Sequence, residues 1–210
     1  MASFKGKILG WAVMPRYLMD LETYFGLMGN MISDKIICSI GLALLDLLEA
    51  VHKGGYVFNN LKPETIMLNK GPEAKADEYI FDDAGFEKLS LHLIDFGFVT
   101  KYTVEDSLHI PLGKVETFRG NILFSSLSKM EYNTTSRKDD LISMCYILAY
   151  LSNYGHLLGI KLCSKMSEKE CFDHTVRIKR VSTTEEDLSH GRAKKLKAFF
   201  CEVFAIKFEE

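Results

Sequence analysis

The chain has 210 residues, 47% of them hydrophobic and 26% charged, a balance that fits one globular domain and excludes wholesale disorder. Its formal charge of −2 and pI near 6.3 give no general attraction to nucleic acid or an anionic membrane. No run of roughly 20 apolar residues is present for a membrane span, and Met1-Ala2-Ser3-Phe4-Lys5-Gly6-Lys7 lacks the apolar core of a secretory signal.

In chain order, Ile8 to Met19 reads as a short buried strand or two on the hinge side, interrupted by Gly10 and Pro15. Asp20 is placed to cap a short helix through about Gly26. From Ser33 or Asp34 to Lys53 the apolar residues Ile36, Ile37, Ile40, Leu44, Leu47, Leu48 and Val51 return at three- and four-residue steps, a buried helix that Gly54-Gly55 ends. Thr65–Leu68 and Leu91–Ile94 read as a hairpin whose connection, Asn69 to about Glu87, is polar, long and mobile. A second buried helix runs from Asp139 or Asp140 to Leu151, with Leu141, Met144, Cys145, Leu148 and Leu151 on one face, and Gly155 and Gly159 break the pattern after it. Weaker helices are predicted near Ser167–Lys179 and Arg192–Phe204, the latter burying Leu196, Phe199, Phe200 and Phe204. The five cysteines (38, 145, 163, 171 and 201) are odd in number and scattered, which argues against a zinc site or a disulfide framework and for a reducing compartment. Cys145 and Cys201 fall on apolar helix faces, His52 reads as a packed residue at a helix end, and His109 belongs to an exposed loop.

Three segments stand in a telling order. Phe58-Asn59-Asn60-Leu61-Lys62-Pro63-Glu64-Thr65 follows the long helix, Leu93-Ile94-Asp95-Phe96-Gly97 ends the hairpin, and Ser136-Arg137-Lys138-Asp139-Asp140-Leu141 opens the second helix. They resemble, respectively, the catalytic loop of protein kinases, their metal-binding turn, and the Ser-Arg-Arg-Asp-Asp-Leu signature of the casein kinase 1-like family, which is similar to the vaccinia-related kinases. His109-Ile110-Pro111 and Gly120-Asn121-Ile122-Leu123-Phe124-Ser125-Ser126 resemble that family's activation segment, and the usual Ala-Pro-Glu is absent here as it is there. The resemblance runs from about Trp11 to the end of the chain. It implies a mainly α, protein-kinase-like α+β fold: a single domain over 1–210, with a hinge-side strand at 8–19, a helical carboxy-terminal lobe over 20–210, a small β-hairpin at the site and the amino-terminal lobe largely missing.

The resemblance also implies residue roles. ATP and Mg²⁺ are the family's cofactors, with Asp95 as a hard carboxylate ligand for the metal and Lys62 as a point charge toward the transferring phosphate. Asn60 stands where the catalytic aspartate belongs, and a carboxamide does not take a proton from a substrate hydroxyl. Thr65 stands where the second metal ligand, an asparagine, belongs and is a weaker one. Phe58 and Asn59 replace the histidine and arginine, and Leu123 falls where an arginine is expected. Asp140 corresponds to the aspartate that fastens the catalytic loop from below, and Arg137 is expected in an ion pair of the same lobe. Three readings follow: a catalytically impaired pseudokinase serving as a binding or scaffold module, a serine/threonine kinase with residual ATP-dependent activity, or a gene fragment without a stable role. The expected partner is a protein, as a binding partner or as a substrate, with a chain that supplies the missing lobe as a further candidate, no nucleic acid and no membrane span, in an intracellular setting, cytoplasmic or nuclear.

Overall fold

The computed structural model describes residues 2–4, 7–9, 13–72, 75, 79–104, 108–157, 159–160, 165–181 and 188–210. The architecture is mainly α, with small antiparallel sheets. Strands β1 (Ala2–Phe4) and β2 (Lys7–Leu9) pair antiparallel, Ala2 opposite Leu9. Of the short strand or two expected over 8–19, Ile8 and Leu9 fall in β2 and Met19 in β3. Residues 13–17 have no regular structure, Val13 and Met14 are exposed, and β3 (Met19–Asp20) joins a second sheet at the end of the span. Gly10, Trp11 and Ala12 lie outside the described residues.

The Asp20 carboxylate accepts from Thr23 N at 2.8 Å and starts helix α1 (Leu21–Leu27), whose Leu21, Tyr24 and Phe25 are buried. Helix α2 (Asp34–Lys53) is capped by the Ser33 hydroxyl and buries Ile36, Ile37, Ile40, Leu44 and Leu48. Its closest approach is to α5 (Arg137–Ser152), where Gly41 lets the helices meet. A Cβ there would touch a Leu148 methyl at 3.4 Å. Helix α5 was expected to carry one apolar face, and it is instead buried nearly all round, from Ile142 through Ala149, because the chain wraps every side of it. Leu141 and Tyr150, on either side of that run, are half-buried.

The expected hairpin forms as β5 (Ile66–Lys70) against β6 (Leu89–Leu93), Ile66 opposite Leu93 and Lys70 opposite Leu89, with β3 on the other edge of β5. Its connection is anchored where it is described, which departs from the mobile loop expected. Asp82 caps a short helix α3 (Asp83–Phe86), Ile80 and Phe86 are buried, and the Tyr24 hydroxyl donates to the Ile80 carbonyl at 2.9 Å. Two-residue strands β4 (Tyr56–Val57) and β7 (Thr100–Lys101) pair antiparallel beside the hairpin.

Helix α4 (Leu127–Met130) follows a Ser126 cap, and α6 (Glu168–Val181) runs slightly beyond its predicted end. The last predicted helix is split into a 3-10 turn, Gly191–Leu196, and helix α7 (Lys197–Ala205), which buries Phe200 fully and Leu196, Phe199 and Phe204 in part. One hydrophobic cluster joins α1, α2, the hairpin, α5 and α7. Cys38, Cys145, Cys171 and Cys201 are free thiols. Cys145 is buried, with its thiol pushed upward by desolvation, Cys201 is half-buried and Cys163 lies outside the described residues. No helix among the described residues is long and apolar enough to cross a membrane.

Candidate functional site

The segment 58–65 is the floor of the site, and its geometry is set from beneath. Asp140, in the first turn of α5, is buried with both oxygens engaged: Oδ2 accepts from Phe58 N at 2.7 Å and from His52 Nε2 at 2.9 Å, and Oδ1 accepts from Asn59 N at 2.8 Å. His52 is thus packed at the end of α2, as expected, and it also holds Asp140. The neighbouring Asp139 accepts from Ser136 N at 2.8 Å and from the Ser126 hydroxyl, tying α4 to the start of α5. Burial raises the Asp139 carboxyl above the ordinary carboxylate range, against the pull of those two donors.

Asn59 is the hub of the floor. It sits in the left-handed region at φ 68, which asparagine tolerates better than most residues. Its Nδ2 lies 2.8 Å from Thr100 Oγ1, 3.1 Å from the Phe98 carbonyl and 3.3 Å from the Val57 carbonyl, so the amide staples the loop to the segment Phe98–Thr100. Its own carbonyl accepts from Lys129 Nζ. Gly120, at φ +140, passes so close that a side chain there would meet Lys129 Nζ at 2.6 Å and the Asn59 carbonyl at 2.8 Å. Lys129 is 6% exposed, and burial pulls its ammonium pKa down to about 8, with Asp140 and Asp139 opposing the shift. A second lysine, Lys179 of α6, is fully buried. Its Nζ donates to the carbonyls of Leu123 at 2.7 Å and Ser125 at 2.5 Å and lies 4.1 Å from the centre of the Tyr146 ring. Desolvation lowers its pKa well below the ordinary lysine value.

On the upper face, Asn60 and Asp95 come together: Asn60 Nδ2 donates to Asp95 Oδ2 at 2.9 Å. Asn60 is buried, whereas Asp95 is exposed and adopts φ 64 and ψ 62 at the turn into the 3-10 segment Phe96–Phe98. The Phe96 ring is half exposed and meets Phe58 edge-on, 5.2 Å between centroids. The Thr65 hydroxyl points into the floor. It lies 2.9 Å from the Lys62 carbonyl and 3.0 Å from the Asn60 carbonyl, and accepts from Lys62 N at 3.2 Å. Its oxygen is thus engaged with the backbone of the loop itself. Lys62 is half-buried, and its side chain makes no hydrogen bond or ion pair with the described residues.

Arg137 is apart from this group and makes no ion pair among the described residues. Its Nη2 donates to the Glu209 carbonyl at 3.0 Å and its guanidinium lies 4.9 Å from the Tyr102 ring centre, so the expected ion pair is replaced by a cation–π contact and a backbone carbonyl. His109 is half-buried between Tyr102 and Phe208, and the exposed position predicted for it is corrected accordingly.

Sequence reading missed Lys129, Lys179 and the stapling role of Asn59. Gly120 beside the segment was a signal for a close approach, but nothing in the pattern distinguishes Lys179 from the solvent-facing Arg177 and Arg180 of the same helix. Among the described residues no cluster of three or more histidine, cysteine, aspartate or glutamate side chains is arranged to hold a metal ion.

No protein-family profile matches the chain. It is 23% identical over 194 residues to casein kinase I homolog 1 of Saccharomyces cerevisiae, an alignment covering 91% of this chain and 33% of that protein. The chain therefore spans about a third of the length of that curated relative. The similarity supports a relation to protein kinases, and the mainly α architecture with its small antiparallel sheets is consistent with the helical lobe of such a fold.

Proposed function

We propose that this chain is a kinase-like interaction module whose phosphotransfer chemistry is impaired, acting by binding a protein partner inside the cell. The observation that carries the proposal is the Asn60–Asp95 contact. A carboxamide at position 60 accepts no proton from a substrate hydroxyl, and its N–H occupies one oxygen of Asp95. The residues present fit Mg²⁺ poorly as the family would use it, because the Thr65 hydroxyl is turned into the backbone and one of the two Asp95 oxygens faces the Asn60 amide. The scaffold beneath supports a folded rather than a decayed domain, since Asp140 has every donor it needs and one core joins the helices.

Incubation of the purified chain with labelled nucleotide, Mg²⁺ and a general protein substrate tests this. No transfer above background is expected, and the same null result for Asp95→Asn. Transfer by the wild type that Asp95→Asn abolishes would overturn the proposal in favour of a serine/threonine kinase with residual activity.

A further inference from the structure

The contact between Asn60 and Asp95 has a stereochemistry of its own. Asn60 is 4% exposed and cannot swing away cheaply, because the chain is held on both sides of it: Asn59 N donates to Asp140, the Asn60 carbonyl accepts from Thr65 Oγ1, and the Leu61 carbonyl accepts from Asn121 Nδ2 at 3.0 Å. Its amide is thus a fixed donor aimed at Asp95 Oδ2 at 2.9 Å. Mg²⁺ sits about 2.0–2.1 Å from its oxygen ligands and demands near-octahedral geometry. A cation on the same side of Oδ2 would collide with the amide N–H and face its positive end. The next protein oxygen, Thr65 Oγ1, is turned into the backbone.

From this, and resting on the reading of an impaired kinase-like module, we infer that Asn60 is a built-in substitute for the cation: its amide supplies the positive pole on Asp95, so this face is held in shape without a divalent metal. Replacing Asn60 by aspartate reverses the situation. Two carboxylates would then stand at hydrogen-bonding distance, a repulsion that a divalent cation relieves by bridging them. The same amide would be needed in neither a plain relic, where Asp95 could point anywhere, nor a working metal site, where it would obstruct.

The test uses the full chain and Mn²⁺ alone, read by the electron paramagnetic resonance signal of free Mn²⁺ and by the melting temperature. Wild type should show no saturable site and no thermal shift. Asn60→Asp should melt lower without metal, recover on adding Mn²⁺, and bind it at least about tenfold more tightly than wild type. Adding Asp95→Asn to that variant should abolish the gain. Should Asn60→Asp fail to fold even with Mn²⁺, Asn60→Ala replaces it: with the amide gone, Mn²⁺ should raise the melting temperature through Asp95. The inference is overturned if wild type binds Mn²⁺ in a manner lost on Asp95→Asn, or if neither Asn60 variant binds more than wild type. Either result leaves Asn60 unable to accept a proton and so leaves the impaired-kinase reading standing, whereas wild-type phosphotransfer that Asp95→Asn abolishes would strike both.

Discussion

The two sides of the 58–65 loop are built differently. Beneath it, Asp140 is 1% exposed and holds two backbone N–H groups and an imidazole. Above it, Asp95 is exposed and holds one amide, and Lys62 holds nothing among the described residues. Asp140 is desolvated and fully partnered, while Asp95 is open to water and holds a single donor. Removing a polar partner costs most where water cannot replace it, so the lower side should dominate stability and the upper side should be nearly silent in it.

The largest effect should come from Asp140→Ala. It leaves Phe58 N, Asn59 N and His52 Nε2 buried without an acceptor, and losses of this kind run to about 3–5 kcal/mol. Urea denaturation followed by circular dichroism measures it. A loss below about 1 kcal/mol would mean that the loop is held by its apolar residues, Phe58 and Leu61, and the contrast between the two sides would dissolve.

How much of this was legible in the sequence follows the same division. The long helix could be read because Ile36, Ile40, Leu44 and Leu48 repeat on one face, and Asp20 and Ser33 were visible as caps. The hairpin was placed correctly from two short apolar runs, with its strand ends off by one or two residues. Helix α5 was read as one apolar face from Leu141 to Leu151, yet Ser143 and Tyr146, off that face, are buried as well. The site was harder to read. Motif order located Asn60, Asp95 and Asp140, but the sequence carries no sign of which way a threonine hydroxyl turns, and Thr65 turned inward. Buried lysines were invisible for a physical reason: their partners are backbone carbonyls of Asn59, Leu123 and Ser125, which every sequence possesses.

An intermediate effect is expected at Lys129, on the lower side but carrying a charge. Lys129→Met removes the donor to the Asn59 carbonyl and should cost about 1–2 kcal/mol at neutral pH. The pH dependence gives a sharper signature. The folded lysine pKa is near 8 and the unfolded value near 10.5, so between them the unfolded chain holds a proton that the folded chain has released. Raising the pH through that window therefore favours the folded state, and the desolvation penalty is fully present below about pH 8. The advantage of wild type over Lys129→Met should grow from pH 8 to pH 10 in parallel denaturation curves, in which tyrosine and cysteine titrations cancel. A difference that stays flat or shrinks would mean the ammonium is stabilised in place by Asp139 and Asp140 against its burial.

The smallest effect should be at Asp95, where Asp95→Asn is expected to change stability by no more than about 0.5 kcal/mol. The substitution keeps an oxygen to accept from Asn60 Nδ2, and asparagine tolerates the left-handed backbone that Asp95 adopts. Only the negative charge is lost, and at an exposed position that charge is screened by water. A loss of about 2 kcal/mol or more would mean that the carboxylate is paired in solution with a cation, with Lys62 the side chain to test by a double-mutant cycle. In that event the upper face would be an organised charged site in its own right. The near-silent outcome leaves Asp95 as a group whose position is set by Asn60 and whose charge the fold does not need.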